Sequence, residues 1–329
     1  MRKFTFKLSI FIIPLLIPIC LYIYIDPFKL FGNYSNPINT NNNYQLPFNR
    51  DVQSTNLFLL NYKKQNYNSF ILGNSRSQFY QVNTWKKYIN GNCFHFNASG
   101  ESLFGINRKL KLINDLNVDI KNVIIVMDAS VLCQTTNNNG HLFIKHPFQS
   151  KESQFTFHIE MFKGFFPMPM FAYIDLFYSG IRKPYMSNYG VDINMWKHDT
   201  ITNQLNLFVC DSEIVVNNKN YYKHQFFHKR ENVKKYAFQT IHSEQQEILN
   251  EIIYILKKHN STYKIIINPL YDQLKLDPHD LEYLKKVFGI KNVFDFSGIN
   301  SITNNYHNYY EESHYRPIIC DSILSIVYN

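Results

Sequence analysis

The sequence contains few cysteines and few glycines, and its cysteines lack the spacing typical of metal-binding or disulfide-rich proteins. Its five cysteines, at positions 20, 93, 133, 210 and 320, form no CxxC pair and no metal-ligand spacing, so no metal site is predicted and the disulfide state stays open. Glycine is scarce, with 11 residues in 329, whereas tyrosine and phenylalanine number 24 and 28. A chain of this length can bury a large core, in one large domain or two small ones.

A basic block is also missing. The formal net charge is +9, but the lysines and arginines are scattered, whereas nucleic-acid-binding proteins cluster them on one face or in one run. We therefore expect no nucleic-acid partner. The charge is better explained by a generally basic surface. Such a surface would either lie near an anionic envelope or have no particular partner.

Charged residues are absent between Lys7 and Asp26. Leu8–Ile25 is an apolar run of 18 residues, in the lower range for crossing a bilayer. Basic residues at positions 2, 3 and 7 precede the run, so the positive-inside rule places the N-terminus in the cytoplasm and the rest of the chain outside.

Two other interpretations of this run are weaker. A cleaved signal peptide needs small residues at its exit, but the residues from Tyr22 to Ile25 are all bulky. A buried core helix fits poorly with the terminal position and the basic flank. We predict that residues 1–26 form an uncleaved, single-pass membrane anchor.

Residues 27–65 are polar, rich in asparagine and weakly patterned, which indicates a linker. From residue 66 onward, strand-like and helical segments alternate, as in parallel sheets with helices on both faces. The predicted strands are Tyr67–Leu72, Cys93–Phe96, Val123–Met127, Tyr263–Ile267 and Asn292–Phe296; the predicted helices are Val82–Ile89, Leu103–Leu116, Ser243–His259, Asp280–Phe288 and Ile318–Val327. We predict a three-layer α/β/α domain over residues 66–329, with about five parallel strands in flavodoxin-like order.

The alternation stops between about residues 133 and 239, which we call the insertion. This segment is rich in aromatic residues and prolines and shows no internal repeat. It is far too long for a simple loop, so we expect it to fold over the core. It would either line a substrate groove or add packing.

A serine, Ser75, follows the first predicted strand. An apolar run ending at Leu72 is followed by Gly73-Asn74-Ser75. Open α/β sheets place ligand crevices at strand carboxyl ends, and the free N–H groups at the start of a following helix can stabilise a developing oxyanion. An ordinary strand-to-helix turn has the same pattern, so Ser75 indicates a nucleophile only if a base lies elsewhere in the chain.

The best candidate for that base lies near the other end. Among twelve histidines, His314 stands just before the final predicted helix, and Glu311 precedes it by three residues. A serine nucleophile needs a base, and the base needs an acceptor that fixes its tautomer. Spacing alone slightly favours a structural histidine that caps the last helix.

Three short motifs resemble blocks of the SGNH (GDSL-type) hydrolase superfamily. They are Gly73-Asn74-Ser75, Asn97-Ala98-Ser99-Gly100 and Glu311-Glu312-Ser313-His314. The apolar N-terminus and the Ser-His-Tyr-Arg sequence at 313–316 are also similar to a membrane-anchored branch, the alginate O-acetyltransferase-like and D-alanine-transfer-like proteins. The resemblance covers roughly residues 66–130 and 240–329 and leaves the insertion unmatched.

The resemblance implies a catalytic triad and no metal or nucleotide cofactor. Ser75 would be the nucleophile, His314 the general base and acid, and Glu311 the acid that orients the histidine. The family usually has aspartate in that third position. A longer side chain can serve the same role, but Glu312 then becomes a competitor for it.

The resemblance also implies residues that bind the oxyanion or the substrate. The backbone N–H groups of Ser75 and Gly100 would bind the oxyanion, and Asn97 would position the loop of Gly100. The family's third block usually supplies an asparagine donor, whereas here the third strand ends in Asp128, as it often does in the anchored branch. Asp128 would bind either the loop after Ser75 or the acceptor sugar.

These features predict a membrane-anchored, extracytoplasmic O-acyltransferase that acts on a cell-surface polysaccharide or another acylated glycan, with a multi-pass membrane acyltransferase as a candidate partner. A carbohydrate esterase or deacetylase of the same fold would share every residue named. A non-catalytic envelope glycan-binding protein is the alternative from another class.

Overall fold

Five apolar strands pair in parallel at the centre of the molecule. The computed structural model describes residues 16–35, 44–225 and 227–329. The strands are β1 (Ser69–Gly73), β2 (Cys93–His95), β3 (Asn122–Met127), β4 (Thr262–Ile267) and β5 (Val293–Asp295). Their spatial order is β2-β1-β3-β4-β5, and all four pairings are parallel. The predicted parallel α/β sheet is confirmed, and its strand order is that of flavodoxin-like sheets.

The longer helices in the described part of the chain are α1 (Arg50–Gln65), α2 (Leu103–Asp115), α3 (Gln154–Lys163), α4 (Met170–Ser179), α5 (Phe208–His224), α6 (Ser243–Lys258), α7 (Pro278–Phe288) and α8 (Pro317–Tyr328). Local sequence explains several of their ends. The hydroxyl of Ser102 accepts a hydrogen bond from the Gly105 N–H and caps α2, and Pro317 occupies the first turn of α8. The helix predicted over 82–89 is helical only over Val82–Trp85.

Successive residues of each strand point to opposite faces of the sheet, and helices cover both faces. In β3, Val123 and Ile125 pack into a core shared with α1, α2, α6 and α7. Ile124 and Val126 pack into a second core, which is shared with α8 and part of α5. The result is three layers, with the sheet in the middle.

The segment expected to be a linker contains a helix. Residues 50–65 form α1, in which Leu57 and Phe58 are fully buried in the first core. The hydrophobic pattern did not predict this helix because its first turn buries polar side chains, including Arg50, Asp51 and Gln53. Their buried partners come from distant segments, so hydrophobic periodicity could not reveal them.

Two lysines and two carboxylates form a buried network that joins α1, α2 and the insertion. Lys109 of α2 contacts Asp51 at 3.0 Å and also pairs with Glu101. Lys145 of the insertion contacts Glu101 at 2.6 Å and Asp51 at 3.6 Å. All four side chains are at most 1% exposed. The two positive and two negative charges balance, which makes their burial tolerable.

The insertion contains α3, α4 and α5, two shorter helices over Pro147–Ser150 and Pro184–Tyr189, and short strands. The strand pairs that involve it join Tyr44–Gln45 to Asp192–Ile193, Lys197–Asp199 to Gln204–Asn206, and Lys235–Tyr236 to Leu274–Lys275. Its helices α3 and α4 build a third core, which includes Tyr22, Ile25 and Phe28 from the N-terminal segment. The insertion therefore packs on the rest of the chain through both a charge network and an apolar core.

Residues 16–25 are helical and continue the apolar run predicted to be a membrane anchor. Residues 8–15 of that run, and the basic residues before it, lie outside the described residues. Within the described ranges, no helix has the length and apolar character needed to cross a membrane.

Candidate active site

The segments that follow three adjacent strands meet at one edge of the sheet. Asp128 follows β3, and its Oδ2 accepts hydrogen bonds from the side-chain amides of Asn74 after β1 (3.0 Å) and Asn268 after β4 (2.9 Å). Asp128 is only 2% exposed. The strand that follows β1 in the chain, β2, lies on one side of it, and the later strands lie on the other. The carboxyl ends of the strands near β1 therefore form the switch point at which open α/β sheets bind their ligands.

Glycine is required at the end of β1. Gly73 has φ +145°, and a Cβ there would lie 2.7 Å from the backbone oxygen of Val126 in the neighbouring strand. The chain then turns into a short 3₁₀ helix over Ser75–Phe79, where the Asn74 side chain accepts from the Arg76 N–H. The close approach of β1 to β3 therefore fixes where Ser75 leaves the sheet.

His314 and Glu311 are brought together by a β-hairpin. Strands β6 (Tyr309–Glu311) and β7 (His314–Tyr315) are antiparallel and joined by two residues, and Glu311 lies directly opposite His314. Cross-strand partners in such a pair have adjacent side chains. The Tyr315 hydroxyl donates to the side chain of Asn268 at 2.8 Å, which attaches the hairpin to the end of β4.

The three side chains form a continuous hydrogen-bonded chain. The Nε2 atom of His314 lies 2.8 Å from the Ser75 hydroxyl, although 239 residues separate them in sequence. The Nδ1 atom of His314 contacts a carboxylate oxygen of Glu311. Since an ionised carboxylate can only accept, the imidazole carries its proton on Nδ1 and leaves Nε2 free to accept from Ser75. This is the geometry of an activated serine nucleophile.

Glu311 is held in its charged form. Burial alone would raise its pKa, but the hydrogen bond and charge of His314 and the Ser313 N–H, at 2.6 Å, outweigh burial and keep the pKa of Glu311 below its ordinary value. An ionised carboxylate in contact with Nδ1 can stabilise a positive charge on the imidazole.

Arg76 connects the two loops that carry Ser75 and His314. Its Nη1 pairs with Asp128 at 2.9 Å, and its Nε donates to the carbonyl of Ser313 at 2.8 Å. Burial opposes the charge on Asp128, but Arg76 and the neighbouring hydrogen bonds hold the pKa of Asp128 below its ordinary value. Asp128 therefore contacts the loop after Ser75, one of the two roles considered for it, and its burial leaves no carboxylate oxygen for a sugar.

Glu312, the competing acid, has a different partner. One of its carboxylate oxygens contacts Nδ1 of His228 at 2.8 Å and also accepts from the His228 backbone N–H. Glu312 occupies the two-residue turn of the hairpin, whereas Glu311 occupies its strand. In this structure Glu311, not Glu312, contacts His314.

Asn97 and Gly100 belong to the loop after β2. Asn97 is fully buried, its Oδ1 accepts from Nε of Arg50 at 3.2 Å, and its Nδ2 has no partner among the described residues. Gly100 has φ +55° and its carbonyl accepts from Asn138. Asn97 thus fixes its loop against α1, and Ser99 of the same loop lines the cavity that contains Ser75.

Ser75 and His314 line a cavity of about 330 Å³. Its wall is largely apolar and aromatic, and the insertion supplies much of it, including Leu142, Phe143, Met195 and Trp196. The volume is at the small end of the range for small-molecule sites, so the cavity fits one sugar ring or one acyl group. A larger cavity of about 570 Å³ near His228 and Arg230 contains none of the triad residues.

No protein-family model matches the chain, and no curated protein matches it. The assignment of a family therefore stays a proposal and depends on the site itself. In the part of the chain that the structure describes, no three histidine, cysteine, aspartate or glutamate side chains are grouped so that they could hold a metal ion.

Two residues near the triad were not predicted. Arg50 lines the cavity from the first turn of α1, within the segment interpreted as a linker. Arg76 follows Ser75 directly, but its partners lie 52 and 237 residues away. The only sequence signal for Arg76 was its adjacency to Ser75, and for Arg50 there was none.

Proposed function

We propose that this protein is a serine-dependent acyltransferase of the SGNH type, which transfers an acyl group to a hydroxyl of a cell-surface glycan. The observation that carries the proposal is the hydrogen-bonded chain from Glu311 through His314 to Ser75. Ser75 and His314 are 239 residues apart. Packing alone does not require such distant segments to bring a base and an acid into line with one serine hydroxyl. The motif resemblance to SGNH hydrolases agrees with these roles.

In the proposed reaction, the Ser75 hydroxyl attacks the acyl carbonyl and passes its proton to Nε2 of His314. The backbone N–H groups of Ser75 and Gly100 stabilise the oxyanion. His314 then protonates the leaving group, which departs and leaves an acyl ester on Ser75. An acceptor hydroxyl next gives its proton to Nε2 and attacks that ester, and the proton returns to Ser75 as the product leaves.

The lining of the cavity supports a carbohydrate acceptor. Trp196 and Phe143 present aromatic rings in the same cavity as Ser75, and the apolar face of a sugar ring packs well on aromatic side chains. An apolar wall also limits the access of water to an acyl-enzyme, which favours transfer over hydrolysis. A deacetylase of the same fold would keep the same triad but release the free acid.

We further propose that the protein is attached to a membrane with this domain outside the cytoplasm. The apolar run from residue 8 to residue 25, preceded by basic residues, supports this location. Such an attachment would hold the site where envelope glycans are built.

Replacing Ser75 by alanine tests the proposal. We expect Ser75→Ala to abolish acyl transfer without loss of stability, since removing one hydroxyl leaves no apolar cavity. The assay follows acyl release from an ester donor with and without an acceptor oligosaccharide, by mass spectrometry of both products. Only free acid in the presence of acceptor would identify a hydrolase. Unchanged acylation of cell-surface glycans by Ser75→Ala cells would refute both enzymatic functions and leave a binding protein.

A further inference from the structure

Eight of the ten residues of helix α4 are apolar or aromatic, but the helix is not buried on all sides. Ala172, Tyr173 and Leu176 face the third core, whereas Phe171 is 64% exposed and Tyr178 is 74% exposed. A helix that is hydrophobic all round is normally enclosed by protein or lipid. Its one charged residue, Asp175, pairs with Lys183 beyond the end of the helix. The outer face of α4 therefore has the character of a surface that another apolar phase covers.

Exposed aromatic side chains of α4 contact the N-terminal helix. We define the aromatic patch by its six most relevant members, Tyr24, Phe166, Phe171, Phe177, Tyr178 and Ile181, each about half exposed or more. The ring of Tyr24 contacts that of Phe177 at 5.5 Å, and Phe177 contacts Tyr178 at 5.3 Å. Exposed apolar surfaces on soluble proteins, when they are large, commonly mark a site of contact with a partner or a membrane.

The N-terminal segment indicates what covers this patch. Residues 16–25 pack beside α3 and α4 through Tyr22 and Ile25, while Leu16, Ile17 and Ile23 of the same helix remain exposed. The uncharged run continues to Leu8, beyond the described start of the helix. A membrane attachment through this N-terminal segment, as proposed above, would place the patch beside the same lipid surface. Tyrosine and basic side chains, here Arg182 and Lys183, are the residue types found at that boundary.

We propose that the aromatic patch lies in the interface of a lipid bilayer, so that the domain contacts the membrane through the insertion as well as through its N-terminal segment. The inference rests on the membrane attachment proposed above and goes beyond it, because it gives part of the insertion a function separate from catalysis. The N-terminal helix and α4 would then act as two neighbouring contacts that limit rotation of the domain about a single anchor.

Tryptophan fluorescence tests the proposal in the full-length protein. Tyr178→Trp places a reporter in the patch, and Tyr254→Trp is a matched control, since Tyr254 is 68% exposed on α6, outside the patch. Each variant is incorporated into phosphatidylcholine–phosphatidylglycerol vesicles, with or without bromine on the acyl chains. Emission of the unsubstituted protein, with its two native tryptophans, is subtracted. Both substitutions are at exposed positions, so folding is preserved.

We expect the added emission of Tyr178→Trp to be lost in brominated vesicles and that of Tyr254→Trp to be retained. If the full-length protein floats with the vesicles but Tyr178→Trp keeps its emission, the patch does not contact lipid and this inference is wrong. The same result combined with a dimer in detergent would assign the patch to a second copy of the chain. If the protein does not float with vesicles, the proposed attachment fails first, and this inference fails with it.

Discussion

Replacing Glu311 by glutamine, with Glu312→Gln as its matched control, tests the assignment of the triad acid. The two residues are adjacent, and their side chains are similarly exposed, at 40% and 33%. Only Glu311 contacts His314, whereas Glu312 contacts His228. The two substitutions make the same chemical change at neighbouring positions. They differ mainly in that only Glu311→Gln removes the carboxylate that contacts His314.

The size of the effect follows from the contact. A hydrogen bond to a charged group contributes about 1.5–3 kcal/mol, and the partial exposure of Glu311 places the value near the lower end because water screens the charge. About 1.5–2 kcal/mol of lost transition-state stabilisation corresponds to a fall of about 10- to 30-fold in kcat/KM. Glu312→Gln should change kcat/KM by less than about twofold, since exposed pairs contribute little.

The assay is steady-state hydrolysis of a small activated ester such as p-nitrophenyl acetate, with acyl transfer to an oligosaccharide followed in parallel. His314→Ala should lose more activity than Glu311→Gln, because it removes the base itself. If Glu312→Gln costs as much as Glu311→Gln or more, or if Glu311→Gln is neutral, the assignment of Glu311 is wrong and the contact with His314 is only structural.

Three further changes test the parts of the fold that position the site. Arg76→Ala should lower the free energy of unfolding in urea by about 2 kcal/mol, since it leaves the buried Asp128 carboxylate without its cation. Arg76→Lys should lose less stability but still reduce kcat/KM, and equal stability of both variants would contradict the role of the ion pair. Gly73→Ala should cost about 3 kcal/mol, because the added Cβ meets a backbone oxygen at an unfavourable φ; an unchanged melting temperature would refute this. His95 is fully buried, and burial lowers its pKa to about 3. The unfolded chain, with a histidine pKa of about 6.5, then binds a proton that the folded protein does not, so acidification from pH 7 to 5 should remove about 2 kcal/mol of stability. His95→Gln should lack this part of the pH dependence in urea unfolding at the two pH values, and equal slopes would contradict it.

The central sheet could be predicted because its strands are short, apolar and separated by helices of regular period. Strand β3 is buried along nearly its whole length, which gives it an uninterrupted apolar sequence. Helix α1 could not be predicted in the same way. Its polar residues, such as Asp51, are buried against charges from distant segments, and neither periodicity nor local composition contains that information.

The site could be predicted only in part. Glu311 and His314 are close in sequence, so a tight turn between them was foreseeable, but the choice between Glu311 and Glu312 depends on the register of the hairpin. Arg76 lies next to Ser75, yet its two partners, Asp128 and Ser313, follow it by 52 and 237 residues. Long-range contacts of this kind need the fold before they can be recognised.

The buried charges of Asp51, Glu101, Lys109 and Lys145 limit how the chain can be shortened. Lys145 is the only one of the four that residues 133–239 supply. Excising that segment as a cassette would leave two carboxylates and one ammonium group at the junction of α1 with the start of α2. An unbalanced buried charge costs several kcal/mol, a large share of the 5–15 kcal/mol that typically separates a folded from an unfolded domain. A minimal version of this domain therefore has to neutralise one carboxylate, for example by Asp51→Asn, in the same step that removes the segment.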